Sequence, residues 1–275
     1  MKQLARKLID LSPTVGRVVR SFRDYRAEKA LRWGAIPGTS LEVLGGNWLA
    51  AGVAHEDFEI EQFTAKIAEA DVVIDVGANS GLFSCIAAAA GKAVFAFEPM
   101  PQNLRILAQT IERNNLADQI EIFPIAASDR CGVAKFYGKG QGASLIEGWA
   151  NQPSYDAIHV PTNSLDRLLA ARLVGQKVFI KIDVEGAELA VLLGAAELLK
   201  QCTGLLFENG LSKNVPGGQN ASFAAIFELL DVAGFDVCVA IRNGSRVTPQ
   251  LARQWYADGH APVKTMNYFA TRRDA

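Results

Sequence analysis

Cysteine is sparse and scattered in this 275-residue sequence: Cys85, Cys131, Cys202 and Cys238 form no CxxC pair. That spacing argues against a disulfide framework or a zinc knuckle and points to a reducing, cytoplasmic setting. Long apolar runs are also missing. None approaches eighteen residues, so no segment is expected to span a membrane, and Arg6, Lys7 and Asp10 interrupt any secretory stretch near Met1. Net charge is only −1, which gives no electrostatic case for nucleic acid as a partner. Internal repeats and low-complexity tracts are absent as well.

What remains is 49% hydrophobic and 21% charged, enough for one sizeable core with an appended segment. The appended segment is expected over residues 1–57. Residues 1–32 hold nine Lys/Arg against three acids, a local +6 that leaves −7 for the remainder. Leu4, Leu8, Leu11, Val15, Val18, Phe22 and Tyr25 form one helical stripe, broken at Ser12-Pro13. Such a basic helix either packs on the core or makes a peripheral contact with a membrane surface or partner. Residues 33–56 are glycine-rich and read as a connection with a short hairpin.

The main domain, 58–275, is organised around Asp71–Gly91. Val72–Ile74 reads as a buried strand carrying Asp75 to its end. The chain then breaks at Gly77-Ala78-Asn79-Ser80-Gly81, and the apolar Leu82–Ala90 follows as a buried helix with Gly91 as its stop. A strand, a glycine turn and a helix N-terminus cradle nucleotide-type ligands. The next strand, Ala93–Phe97, ends in Glu98, which lies 21 residues after Gly77, the separation at which an acid takes ribose hydroxyls.

The alternation continues. A helix is expected over Phe58–Ala70, ahead of the central strand. Another is expected over Gln102–Asn115, with Leu104, Leu107, Ala108 and Ile111 inward. Strands follow at Ile120–Ile125 and Val133–Tyr137, then a helix at Leu165–Ala171 capped by Ser164. Beyond it come a strand at Val178–Ile182, a helix at Ala187–Lys200 and a strand at Gly204–Phe207. Ser222–Ala233 is helical with Gly234 as its stop. Phe235–Arg242 and Ser245–Thr248 flank Asn243-Gly244, a type I′ hairpin signal. A last helix opens at Thr248-Pro249 and a closing strand spans Met266–Thr271. Together they predict a doubly wound, mostly parallel α/β sheet with an antiparallel C-terminal hairpin and a ligand crevice at the carboxyl ends of the strands. Asp75, Glu98, Asp129, Asp183 and Glu208 all fall at or just beyond those ends.

Two cofactor classes use such a cradle. Nicotinamide and flavin binders favour G-x-G-x-x-G, whereas Asn79 stands here at the middle glycine, where a pyrophosphate would approach. Asp75-x-Gly77-x-Asn79-x-Gly81 resembles the first motif of class I, Rossmann-like S-adenosylmethionine-dependent methyltransferases. Glu98-Pro99, Ala126-Ala127-Ser128-Asp129, Gly142-Ala143-Ser144-Leu145, Ser164-Leu165-Asp166 and the KIDVEGAE run from Lys181 to Glu188 follow in order. The set is similar to the FkbM family of methyltransferases over roughly residues 58–271. A histidine that often follows the acid of Glu208-Asn209 in relatives is not found here.

The resemblance implies methyl transfer from S-adenosylmethionine to a hydroxyl of a sugar, polyketide or other small molecule. Gly77, Ala78 and Asn79 would line its amino-acid part, with Asp75 tying the turn or meeting the ammonium. Glu98 would take the ribose, and Ala127, Ser128 and Asp129 would read the adenine edge. Asp183 would lie beside the methyl and the acceptor. A hydroxyl nucleophile must lose its proton as it attacks, and Asp183, Glu208 and His159 are the candidate bases. His159, just before Val160-Pro161, also fits a plain strand-end residue. Asp183, Glu208 and Asn209 could alternatively hold Mg²⁺. Lys181 reads as a strand residue whose amine reaches a carboxylate, and Glu185-Gly186 as the turn that aims Asp183. Trp48, Trp149 and Trp255 read first as packing residues. A nicotinamide-dependent oxidoreductase and a non-catalytic binding domain are the competing functions.

Overall fold

The computed structural model describes residues 30–45, 54–138, 142–149, 157–211, 219–263 and 265–273, with the backbone alone for 54–57. The basic stripe before residue 30, its membrane or partner contact, and Trp48 lie outside the described residues.

A small hairpin comes first, β1 (Trp33–Ala35) and β2 (Glu42–Leu44), followed by helix α1 (Ala54–Lys66). Then come β3 (Val72–Val76), α2 (Leu82–Ala89), β4 (Ala93–Phe97), α3 (Pro101–Arg113), β5 (Ile120–Phe123), β6 (Ala126–Ala127), β7 (Gly132–Phe136) and β8 (Ile158–Asn163). The second half runs β9 (Val178–Ile182), α4 (Glu188–Leu193), β10 (Cys202–Glu208), α5 (Phe223–Val232), β11 (Phe235–Val239), α6 (Pro249–Asp258) and β12 (Asn267–Arg272).

Seven strands form the central sheet in the order β11-β12-β10-β9-β3-β4-β5. The β3–β4, β4–β5, β3–β9 and β9–β10 pairs are parallel, while β12 runs antiparallel to both β10 and β11. This is the doubly wound sheet with an antiparallel end that the strand–helix alternation predicts.

Period-two alternation divides the core. Val72, Ile74, Val76, Val178, Ile180, Ile182, Leu205 and Phe207 point into one apolar layer, with α4, α5 and α6 above them. Val73, Phe179, Leu206, Val94 and Ala96 point into the other, against α1, α2 and α3. Strands covered on both faces can be continuously apolar, and β3 and β9 are buried at every position. The β1–β2 hairpin adds Ile36, Leu41 and Val43 to the second layer. Leu44 N–H donates to Thr110 Oγ1 and Glu42 N–H to Asn114 Oδ1, which fasten that hairpin to the α3 region. The hairpin, within the segment expected as an appendage, thus packs into the core of the main sheet.

Several elements differ from expectation. The helix expected to Lys200 stops at Leu193, and a 3₁₀ turn takes Leu198–Gln201. Leu165–Ala171 is a π-type turn over Asp166–Ala170, although Arg167 N–H still donates to Ser164 Oγ. Ala108 on α3 is exposed and Thr110 is buried in its place. Asn243 is left-handed at φ 58°, but Gly244 is not among the left-handed glycines described. The turn is consequently wider than type I′: Val239 N–H meets Ser245 O and Val247 N–H meets Val237 O across a five-residue loop. A three-stranded side sheet, β6-β8-β7, was not expected as a unit and stands beside the end of the central crevice.

Candidate active site

The carboxyl ends of β3, β4, β9 and β10 open onto a cavity of about 400 Å³. Its floor is the turn after β3. Gly77 (φ 80°), Asn79 (φ 49°) and Gly81 (φ 92°) are all left-handed, and Gly81 caps α2. Gly77 and Ala78 N–H groups donate to Phe97 O, at 2.9 and 3.0 Å, binding the turn to β4. A Cβ on Gly77 would lie 1.8 Å from the Asp183 carbonyl oxygen, so only glycine lets the turn lie against the end of β9.

Glu98 sits at the cavity wall, almost fully buried. Its Oε2 accepts from Asn79 N–H (2.9 Å), and its Oε1 accepts from Met100 N–H (2.8 Å) and Asn103 Nδ2 (3.3 Å). Burial pushes its pKa up, against the opposing pull of those three donors. Asn103, from the first turns of α3, is a site residue that sequence reasoning passed over.

Asp75 does not line the cavity. It faces the second apolar layer, directly across from Lys181 on β9. Its Oδ2 accepts from Ser84 Oγ at 2.6 Å, and its Oδ1 lies 3.4 Å from Lys181 Nζ. Lys181 also donates to Gly77 O (3.0 Å), approaches Asp183 Oδ2 (3.5 Å) and sits over the Phe83 ring. Two neighbouring carboxylates outweigh the burial of this ammonium and hold its pKa above the usual lysine value. Asp75 therefore ties the turn through Lys181, as one of its two expected roles.

Opposite the turn, acids converge. Asp183, Glu185 and Glu208 line the cavity, and Glu188 lies just behind. Burial, followed by the Asp183 charge, pushes Glu208 well above the carboxylate range, and the two side chains are hydrogen-bonded. The two acids form one coupled pair, in which Glu208 holds its proton more tightly than an ordinary carboxyl. Burial raises Glu185 to about 7 although Trp149 Nε1–H donates to it, and burial raises Glu188 to about 7 as well. Glu188 accepts from Gly186 N–H (2.9 Å) and from Asn220 Nδ2 (2.8 Å).

These shifts carry a stability consequence. An acid whose folded pKa exceeds its unfolded value near 4.5 keeps a proton that the unfolded chain has lost. The associated stability is fully present below pH 4.5 and drains away as pH climbs through 7. The melting temperature of the free protein should therefore fall between pH 5 and pH 8. Glu208→Gln, which keeps a donor toward Asp183, should flatten that fall. A melting temperature that rises over the same range would contradict the proton assignment.

Other expected site residues are placed elsewhere. Ala127 lines the cavity beside Ile125 and Ala126, but Ser128 and Asp129 do not. Ser128 N–H bonds Asn163 O, and Asp129 is exposed and paired with Arg130. His159 alternates outward with Pro161 on β8, exposed and off the cavity wall, so it is not placed to act as a base. Asn209 is buried, with Nδ2 donating to Phe223 O, and does not line the cavity. Because Asn209 lies off the wall that carries Asp183 and Glu208, the three side chains expected to hold Mg²⁺ do not face one cavity. Among the described residues no group of three His, Cys, Asp or Glu side chains is arranged to hold a metal ion. Trp255 is buried in the apolar layer above α6's side of the sheet, whereas Trp149 reaches the site through Glu185.

The methyltransferase FkbM domain matches residues 75–237. The chain belongs to the FkbM methyltransferase family. It is 26% identical over 207 residues to the hexuronic acid methyltransferase AglP of Haloferax volcanii, a span of 71% of this chain and 83% of that relative. Among solved structures it is similar to methyltransferase FkbM from Methylobacillus flagellatus KT, at 18% identity and TM-score 0.45. That likeness covers 74% of this chain but only 44% of that one. It is also similar to the SAM-dependent methyltransferase from Agrobacterium tumefaciens, at 13% identity and TM-score 0.48, over 87% of this chain and 69% of that one. Membership of a methyltransferase family sets aside the nicotinamide-dependent alternative.

The FkbM match holds the turn, Glu98 and the acid cluster, but not the whole wall. Glu59 and Ile60 of α1 precede it and Asn267 of β12 follows it, and all three line the cavity. Asn267 pairs with Glu208 across β10–β12 and donates to Glu59 Oε1 at 2.9 Å. Nothing in a local motif announces such a contact between residues some two hundred positions apart. No described helix is long and apolar enough to cross a membrane.

Proposed function

We propose that this chain transfers the methyl group of S-adenosylmethionine to a hydroxyl oxygen of a saccharide or similar small molecule. One observation carries the reading: a left-handed glycine turn and a buried acid pair face each other across one cavity. The residues present fit that cofactor. The Gly77 turn lets backbone approach a ligand closely, Glu98 stands at the wall where ribose hydroxyls would need an acceptor, and Ile125–Ala127 offer an apolar face to a base.

When bound, the cofactor supplies an electrophilic methyl carbon. The chain's own contribution is placement and proton handling. Asp183, at the end of β9, accepts the acceptor hydroxyl proton as the oxygen attacks. Glu208, protonated, holds Asp183 in position, and Lys181 steadies its charge from behind. The apolar lining from Phe83, Phe97, Phe136 and Leu145 keeps competing water out.

A saccharide acceptor is supported by AglP, whose name makes it a methyltransferase of hexuronic acid. The test is transfer of labelled methyl from S-adenosylmethionine to a panel of neutral hexosides and hexuronates. The label should sit in an ether that survives mild alkali. Label released by alkali as methanol would show an ester and overturn the hydroxyl acceptor.

A further inference from the structure

Between β7 and β8, Ala143 and Leu145 line the cavity. Ala143 packs with Met100, Ala126, Phe136 and Val160. This stretch is tied at both ends. Ser144 exchanges backbone hydrogen bonds with Tyr137, at 2.8 and 3.0 Å, which roots it on β7. Both Ser144 and Trp149, at its far end, are also fastened to one residue, Glu185. Ser144 Oγ–H donates to the Glu185 carbonyl at 2.6 Å, and Trp149 Nε1–H donates to Glu185 Oε2 at 2.6 Å.

Glu185 is an unusual anchor. It holds φ at 56°, a left-handed conformation that costs a non-glycine residue free energy unless its surroundings fix it. Those surroundings are the two donors just named and the Glu188 carboxylate, which takes the N–H of Gly186. Gly186 in turn is flush with the indole. A Cβ there would lie 2.5 Å from Trp149 Cε3, so ring and turn are fitted face to face. Glu185 itself lines the cavity two residues from Asp183. The same contacts thus hold a wall of the cavity and the turn that carries the acid.

We propose that Ala143–Trp149 is a strap that closes over the bound cofactor and sets its release, with Trp149 and Ser144 as positioning residues acting through Glu185. The proposal rests on the S-adenosylmethionine reading. A ligand enclosed by this wall leaves only when the strap lifts, which breaks both bonds to Glu185, one of them to an acid side chain. Losing that bond should speed escape about tenfold, with little change in the rate of entry.

The test is the dissociation rate of S-adenosylhomocysteine from the full chain, measured by displacement. Trp149→Phe keeps an aromatic ring beside Gly186 while removing the donor and part of the fused ring that lies against that glycine. It should release the ligand about tenfold faster than the parent. Ser144→Ala should act in the same direction. Amide exchange over residues 143–149 should slow when the ligand binds, and less so in Trp149→Phe. A merely structural role would lower the melting temperature of the free protein without that ligand-dependent difference. Parental release rates in both Trp149→Phe and Ser144→Ala would overturn the strap while leaving the cofactor reading intact. Failure of the parent to bind S-adenosylhomocysteine would remove the cofactor reading and the strap with it.

Discussion

Asp183→Ala should lose roughly 10²–10⁴-fold in kcat while its affinity for S-adenosylhomocysteine changes little. Asp183 closes β9 with its backbone N–H fixed to Val76 O at 3.0 Å, so removing the side chain leaves the strand end in place. Its carboxylate lies 3.5 Å from Lys181 and is hydrogen-bonded to a protonated Glu208. Those partners fix its position at the cavity wall, where a proton acceptor is needed. The benefit grows only as the hydroxyl proton departs, which is why turnover suffers and cofactor binding does not. Lys181 keeps Asp75 as a partner in the variant, so the turn stays tied. Parental kcat in Asp183→Ala would take this residue out of the mechanism. Loss of cofactor affinity in step with kcat would instead make it a binding residue.

Gly77→Ala should abolish cofactor binding and lower stability together. Alanine at φ 80° alone costs about 1–3 kcal/mol. The added methyl would also overlap a backbone oxygen, that of Asp183, and no rotamer change can relieve such a contact. The turn would have to leave the end of β9, straining the Lys181 bond to Gly77 O and the two N–H bonds to Phe97 O. Melting temperature and ligand affinity should therefore fall in the same variant. An alanine variant that binds the cofactor normally would mean that the close approach of turn and strand is not required.

Much of this arrangement is legible in the sequence because it is local. Val72–Val76 and Val178–Ile182 read as strands since both faces are covered, and Gly77, Gly81 and Gly91 mark the turns that the backbone then makes. Glu98 falls on the wall because its distance from Gly77 is fixed by one helix and one strand. The unread parts depend on partners distant in sequence. Whether Asp75 faces ligand or core is decided by strand parity and by Lys181, its cross-strand neighbour. His159 looked usable as a base because its pairing with β7, which turns it outward, leaves no local mark. The same holds for Ser144 and Trp149, whose role comes from a turn some forty residues later. The helix expected over Ala187–Lys200 ends at Gly194, which lies against the backbone of Ser128, a residue far away in sequence, where a Cβ would be 2.1 Å from its carbonyl oxygen.

The most direct test of the central claim is calorimetric titration of the purified chain with S-adenosylhomocysteine and with NAD, with Gly77→Ala as the reference that should not bind. The account predicts saturable binding of S-adenosylhomocysteine by the parent, none by the alanine variant, and no comparable heat from NAD. A ligand present at 100 times its dissociation constant should also stabilise the parent by about 2.7 kcal/mol. Binding of NAD in preference, or equal binding of S-adenosylhomocysteine by parent and variant, would contradict the assignment of the Gly77–Gly81 turn as the cofactor cradle.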